Sequence, residues 1–183
     1  MGNPQFARWI EGQALQLRRR LRLAPMDVLD PFVLAENMGI MVLTPDDIHG
    51  LEDHHRRRLA QDSDAWSAGT LVLDGRHLVV LNPLHAPTRK RATLMEELAH
   101  VHLKHKPSVL TVVADGLGCR SFKKSQETQA YGVGAAALIP TAVLQNARDT
   151  GQDRGTLARA HGVSAQLVEF RERITGLRMN GHR

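Results

Sequence analysis

The chain has 183 residues, 42% hydrophobic and 23% charged, the balance of a soluble globular protein with one core and room for a small helical appendage. It holds no apolar run long enough to span a membrane, and Met1-Gly2-Asn3-Pro4 lacks the apolar stretch of a secretion signal, so a cytoplasmic protein with no membrane partner is expected. The formal charge is only +5, and a single cysteine, Cys119, excludes an internal disulfide.

Residues 5–22 have apolar positions at roughly helical spacing and end in a basic run. A second helix is signalled by Asp30 as N-cap and Pro31 at the first helical position, and stops at Gly39. Ile40 to Leu43 reads as a short strand and Thr44 to Asp47 as a turn; the polar stretch from His49 to Asp64 reads as a short helix and a loop. Ala68 to Leu73 and Arg76 to Leu81 are β-branched runs joined by Asp74-Gly75, a strong hairpin signal.

Thr88 is expected to cap the next helix, with Leu94, Leu98 and Val101 facing the core and Pro107 ending it. Val109 to Ala114 reads as a third strand or an irregular stretch, followed by a glycine-rich loop that holds Cys119. The helix after it, capped by Ser121 or Ser125, has Glu127 in its first turn and a surface of small residues. Gly132 and Gly134 would weaken it unless another backbone packs closely there, and the preceding helix is the expected partner.

From Thr141 onward the chain reads as two or three helices, a separate subdomain over 141–183 packed on a domain of 1–140. Within it Leu157 to Ser164 has the helix, glycine turn and serine cap of a helix-turn-helix. Basic residues cluster at Arg18-Arg19-Arg20 and at Arg56-Arg57-Arg58. Such clusters either neutralise nucleic-acid phosphates or form solvated helix faces. With seven aromatic residues in the chain, a surface that stacks single-stranded bases is poorly supplied.

The chemistry concentrates at Glu96-Glu97-Leu98-Ala99-His100. On a helix Glu96 and His100 lie four residues apart on one face, the layout of H-E-x-x-H with Glu in place of the first His. A metal that hydrolyses peptides needs about three protein ligands and a base for its water. Glu96 and His100 supply two ligands, Glu127 is the candidate third, and Glu97 is placed as the base. Taken alone, the motif also fits a solvated charged stripe. Tyr131, one turn beyond Glu127, is either a stabiliser of the tetrahedral intermediate or a packed core tyrosine. His54, His55, His102 and His105 lack partners at ligand spacing and read as surface histidines.

Arg91 to His100, then Glu127-Thr-Gln-Ala130-Tyr with Ala136-Ala-Leu-Ile-Pro140 closing its helix, resemble the ImmA/IrrE family of metallopeptidases, and the flanks at 34–40 and 162–171 are also similar. The resemblance implies an α+β, zincin-like core: a small sheet packed by two metal-binding helices, with flanking helices. It implies a zinc-dependent endopeptidase that cleaves a helix-turn-helix repressor and so switches on stress, mobile-element or phage-defence genes. His100 and Glu127 match the family's ligands and Glu97 its base; Glu96 departs from the first His. With one imidazole and two carboxylates the site would be electrically neutral, one charge less positive than the family's set. The added oxygen donor tolerates Mn²⁺ or Fe²⁺ better, yet carboxylates are normal zinc ligands and zinc is preferred. In the CapP branch of the family such a cysteine holds the enzyme inactive until single-stranded DNA releases it. Cys119 is therefore either an inhibitory fourth ligand or a buried, inert thiol.

Overall fold

The structure is a computed structural model and describes residues 3–59, 66–105, 112–113, 116–117 and 124–179. It is a mixed α+β fold. Helix α1 (Pro4–Arg20) is capped by the Asn3 side chain, and α2 (Pro31–Asn37) by Asp30, whose carboxylate accepts from Phe32 N–H at 2.9 Å. Gly39, at φ +69°, ends α2 and turns the chain into β1 (Met41–Leu43). A single 3₁₀ turn (Pro45–Asp47) and α3 (Asp53–Leu59) follow.

Strands β2 (Ala68–Leu73) and β3 (Arg76–Leu81) form the expected antiparallel hairpin. Asp74 and Gly75 both have positive φ, as a two-residue turn matched to strand twist requires. Strand β1 pairs parallel to β3 on its other side, giving the order β1-β3-β2, with β2 at an edge among the described residues. Val79 and Leu81 of β3 are buried beneath α4 (Pro87–His102).

Helix α4 begins one residue earlier than Thr88. Pro87 occupies the first turn, where its fixed φ suits a helix start, and no side chain caps it. It also ends well before Pro107. Lys104 adopts a left-handed conformation (φ +54°), and His105 N–H turns back to the His100 carbonyl at 3.0 Å. Val112–Val113 (β4) and Gly116–Leu117 (β5) form a two-residue antiparallel pair, so part of the expected glycine-rich loop is strand; Cys119 lies outside the described residues.

Helix α5 (Lys124–Leu138) packs across both α4 and α1 through its small residues. A Cβ on Gly134 would stand 3.1 Å from the Met95 carbonyl, which is the expected close approach to α4. Gly132 differs from expectation: its missing Cβ makes room for Ile10 of α1, at 3.2 Å.

The C-terminal part contains α6 (Thr141–Asp149), α7 (Arg154–His161) and α8 (Ala165–Thr175). Gly162 (φ +62°) and the Ser164 cap form the helix-turn-helix-like corner between α7 and α8. Helix α8 folds back onto α1, and α6 and α7 pack against α8. Arg171 of α8 is fully buried, donating to the Ile139 carbonyl at 2.8 Å and to Glu11 at 2.6 Å, while Glu11 also accepts from Thr141 N–H and Oγ1.

Arg18 and Arg56, two of the candidate phosphate contacts, are neither such contacts nor solvated cations. Arg18 is 1% exposed, and its guanidinium donates to the carbonyls of Ala137, Ala24, Pro25 and Asp27, tying α1 to α5 and to the following loop. Arg56 reaches back to the carbonyls of Pro45, Ile48 and Leu51. Both forks are used on backbone and are not free for a phosphate. Arg19, Arg20 and Arg57 are exposed; the side chain of Arg58 is outside the described residues.

Candidate metal centre

Helix α4 presents Glu96 and His100 on consecutive turns, and α5 presents Glu127 from its first turn toward them. One ligand atom from each of the three lies within 4.8 Å of the others. His100 Nε2 is 3.6 Å from Glu127 Oε1. The close approach at Gly134 sets this spacing, because α5 can reach α4 backbone to backbone only where no side chain intervenes.

The electrostatics of the cluster call for a cation. Burial, then Glu127, then Glu97 push the Glu96 carboxyl up to about 7. Three carboxylates in a partly buried cluster repel one another, and a divalent ion would relieve that repulsion. The donor set, one imidazole and two carboxylates, suits zinc and other divalent metals.

The hydrogen bonds behind His100 set its tautomer. Gln129 Oε1 can only accept, so His105 Nε2, 3.2 Å away, donates to it. A neutral His105 then offers Nδ1 as acceptor to His100 Nδ1–H at 3.1 Å, leaving the lone pair of His100 Nε2 on the Glu127 side. Burial foremost and then His100 push the His105 pKa down, while Gln129 opposes the shift, consistent with the neutral form. His105 is thus the orienting partner of His100 and not the surface histidine that its spacing suggested. The signal was hidden because only the left-handed turn at Lys104 brings it back.

Glu97, one position round from Glu96, faces the sheet. Thr70 Oγ1 on edge strand β2 donates to its Oε2 at 2.5 Å. Sequence reasoning did not find Thr70; a lone hydroxyl on a strand carries no spacing signal. Tyr131 packs edge-on against Phe170, with ring centroids 4.7 Å apart, and also lines a cavity of about 410 Å³ with Glu96, Ser67, Thr93, Ser164 and Gln166. Burial first, and then Glu96, push its phenol pKa up. Of the other histidines, His102 bonds Gln13, and burial and Arg20 push its pKa down; His54 and His55, exposed on α3, do have a partner their spacing did not suggest, since with Glu52 they bring ligand atoms within 4.8 Å of one another, apart from this cluster.

A zincin-like α+β core with a histidine and carboxylate cluster between its two central helices defines the class as metallopeptidase-like. Residues 35–172 match the IrrE N-terminal-like domain of the peptidase M78 family, and the chain belongs to that family. The match includes all four residues of the cluster and runs on into α8. No curated protein matches the chain. Among the described residues no helix is long and apolar enough to cross a membrane.

Proposed function

We propose that the protein is a zinc-dependent endopeptidase that cleaves a regulatory protein, a helix-turn-helix repressor in the terms of its family resemblance. The observation that carries this reading is the convergence of Glu96, His100 and Glu127, with Glu97 held beside them by Thr70. Glu96, His100 and Glu127 would hold the ion. When bound, it supplies Lewis-acid polarisation of the scissile carbonyl and a more acidic water.

The chain's own groups do the rest. Glu97 takes the proton of the attacking water at its carboxylate and passes it to the leaving amine nitrogen. Thr70 fixes which carboxylate oxygen is free for that transfer. Tyr131, beside Glu96, donates its hydroxyl to the oxyanion that develops on the scissile carbonyl. The edge of β2, unpaired among the described residues, offers backbone groups to an extended peptide, and Leu71, Val72 and Leu73 there are about half exposed or more. Regulation by Cys119 and by single-stranded DNA stands on the resemblance and on the exposed Arg19, Arg20 and Arg57.

Incubation with the repressor encoded beside the gene, with and without a chelator, tests the activity. Chelator-sensitive cleavage that disappears in Glu97→Gln supports it, and cleavage that survives either change overturns it. A second reading, a metal-binding regulator that has lost hydrolysis, is favoured by one feature: Glu96 stands where the family has its first His. Stoichiometric metal without cleavage would select that reading.

A further inference from the structure

A larger cavity, about 1310 Å³, lies between one face of α1 and the C-terminal end of α8, and none of the four cluster residues lines it. Helix α1 contributes Ala7 and Arg8 and, about one turn on, Glu11, and α8 contributes Phe170, Arg173 and Ile174. After Gly176, at φ +75°, the chain turns so that Arg178 and Met179 complete the wall.

The charges of this cleft do not cancel. Its carboxylates are all engaged: Glu11 by the buried Arg171 at 2.6 Å, Glu172 by Arg154 at 2.8 Å, and Glu169 by the same Arg154 at 3.6 Å. Glu172 also accepts from Met179 N–H at 2.7 Å, which pins the wall in place. Arg8, Arg173 and Arg178 are exposed, and among the described residues no carboxylate lies within ion-pair distance of them. The same cleft is also lined by the apolar side chains of Ala7, Phe170, Ile174 and Met179.

We propose that the cleft between α1 and α8 binds an acidic segment of a partner protein that also carries apolar side chains. Carboxylates would answer Arg8, Arg173 and Arg178, and apolar side chains would cover the floor. A nucleic acid fits less well. The one aromatic ring in the cleft's lining, Phe170, already has the Arg173 guanidinium 6.0 Å from its centroid and Tyr131 edge-on, so it offers bases no free stacking face. The same Phe170–Tyr131 contact puts a segment bound here one aromatic pair away from the cavity beside Glu96. The docking needs no hydrolysis and goes beyond the proposed activity.

The test is fluorescence anisotropy on the full chain carrying Glu97→Gln, so that cleavage does not enter the readout. The probes are a labelled peptide rich in Glu and Leu, its counterpart with Lys for Glu, and a labelled oligothymidylate. Saturable binding of the acidic peptide alone is expected, weakened about tenfold or more by Arg8→Ala/Arg173→Ala and by added salt, and unchanged by Arg19→Ala/Arg20→Ala. All four arginines are exposed, and circular dichroism checks that the variants remain folded. No saturable binding, equal loss in both double variants, or an oligothymidylate complex that depends on Arg8 and Arg173 would overturn the proposal.

Discussion

Thr70 Oγ1 on strand β2 donates to Glu97 Oε2 on the central helix at 2.5 Å, so a hydroxyl of the sheet orients the carboxylate proposed as the base. A hydroxyl facing an ionised carboxylate contributes about 1.5–3 kcal/mol when both groups are partly buried. Thr70→Val is therefore expected to lower kcat about tenfold with little change in KM, while Glu97→Gln lowers it by a factor on the order of a hundred or more. Steady-state kinetics on the proposed repressor substrate separates the two. Equal kcat in Thr70→Val and the parent would remove the positioning role.

The chain Gln129–His105–His100 makes a second claim, about metal affinity. Partners that orient a ligating imidazole typically matter tenfold to a hundredfold in affinity. His105→Ala should weaken zinc binding within that range, measured by competition with a chromophoric chelator, and His105→Gln should restore part of it by accepting from His100 Nδ1–H. Unaltered affinity in His105→Ala would mean that the 3.1 Å contact has no bearing on the site.

Packing of the two central helices can be tested apart from chemistry. At Gly134 an added methyl would stand 3.1–3.2 Å from the backbone of Met95 and Glu96, and backbone cannot swing aside. Gly134→Ala is expected to cost about 1–3 kcal/mol and to weaken metal binding by prising Glu127 away from Glu96 and His100. At Gly132 the nearest atom is a side-chain methyl of Ile10 at 3.2 Å, which can shift, so Gly132→Ala should cost less. Urea unfolding of both variants with and without zinc checks the order.

Much of this architecture was legible because local chemistry and tertiary structure agree. Asp30-Pro31 and Asp74-Gly75 each satisfy a backbone requirement that only a few residues meet, and the four-residue spacing of Glu96 and His100 follows from the helical period alone. The failures share a different cause. Arg18 reads by residue type as one of three consecutive cations, yet it stands four residues after Ala14 and eight after Ile10, on the buried face of α1, and there its guanidinium reaches the carbonyls of Ala137 and Asp27. Gly132 and Gly134 look alike in sequence, yet two residues along a helix turn them toward different partners, α1 and α4. His105 depends on a left-handed turn at Lys104, a residue type that rarely adopts it.

In the metal-free protein Glu96 carries a stability cost that varies with pH. Its folded pKa, about 7, lies above the ordinary value of 4.5, so between those two values the folded chain holds a proton that the unfolded chain has released. Stability from this group is complete below the lower value and is lost as pH rises through the folded pKa, by up to about 3 kcal/mol. Urea denaturation of chelated protein between pH 5 and about 7.5 should show the decline, and Glu96→Gln should flatten it. Identical pH slopes in the two proteins would show that Glu96 ionises normally.

Glu96→His gives the sharpest separation of the two functional readings. The substitution restores H-E-x-x-H and leaves Glu97, Thr70 and Glu127 in place, while the ligand set loses one negative charge. A more positive site makes its water more acidic, so catalysis should extend to lower pH and kcat/KM near neutrality should rise. The variant also replaces a carboxyl that must release a proton near pH 7 before it can ligate. A gain of about tenfold would show that the carboxylate-rich set is a working but attenuated peptidase site. If the variant binds zinc stoichiometrically and still cleaves nothing, something besides position 96 has been lost, and the protein acts through binding alone.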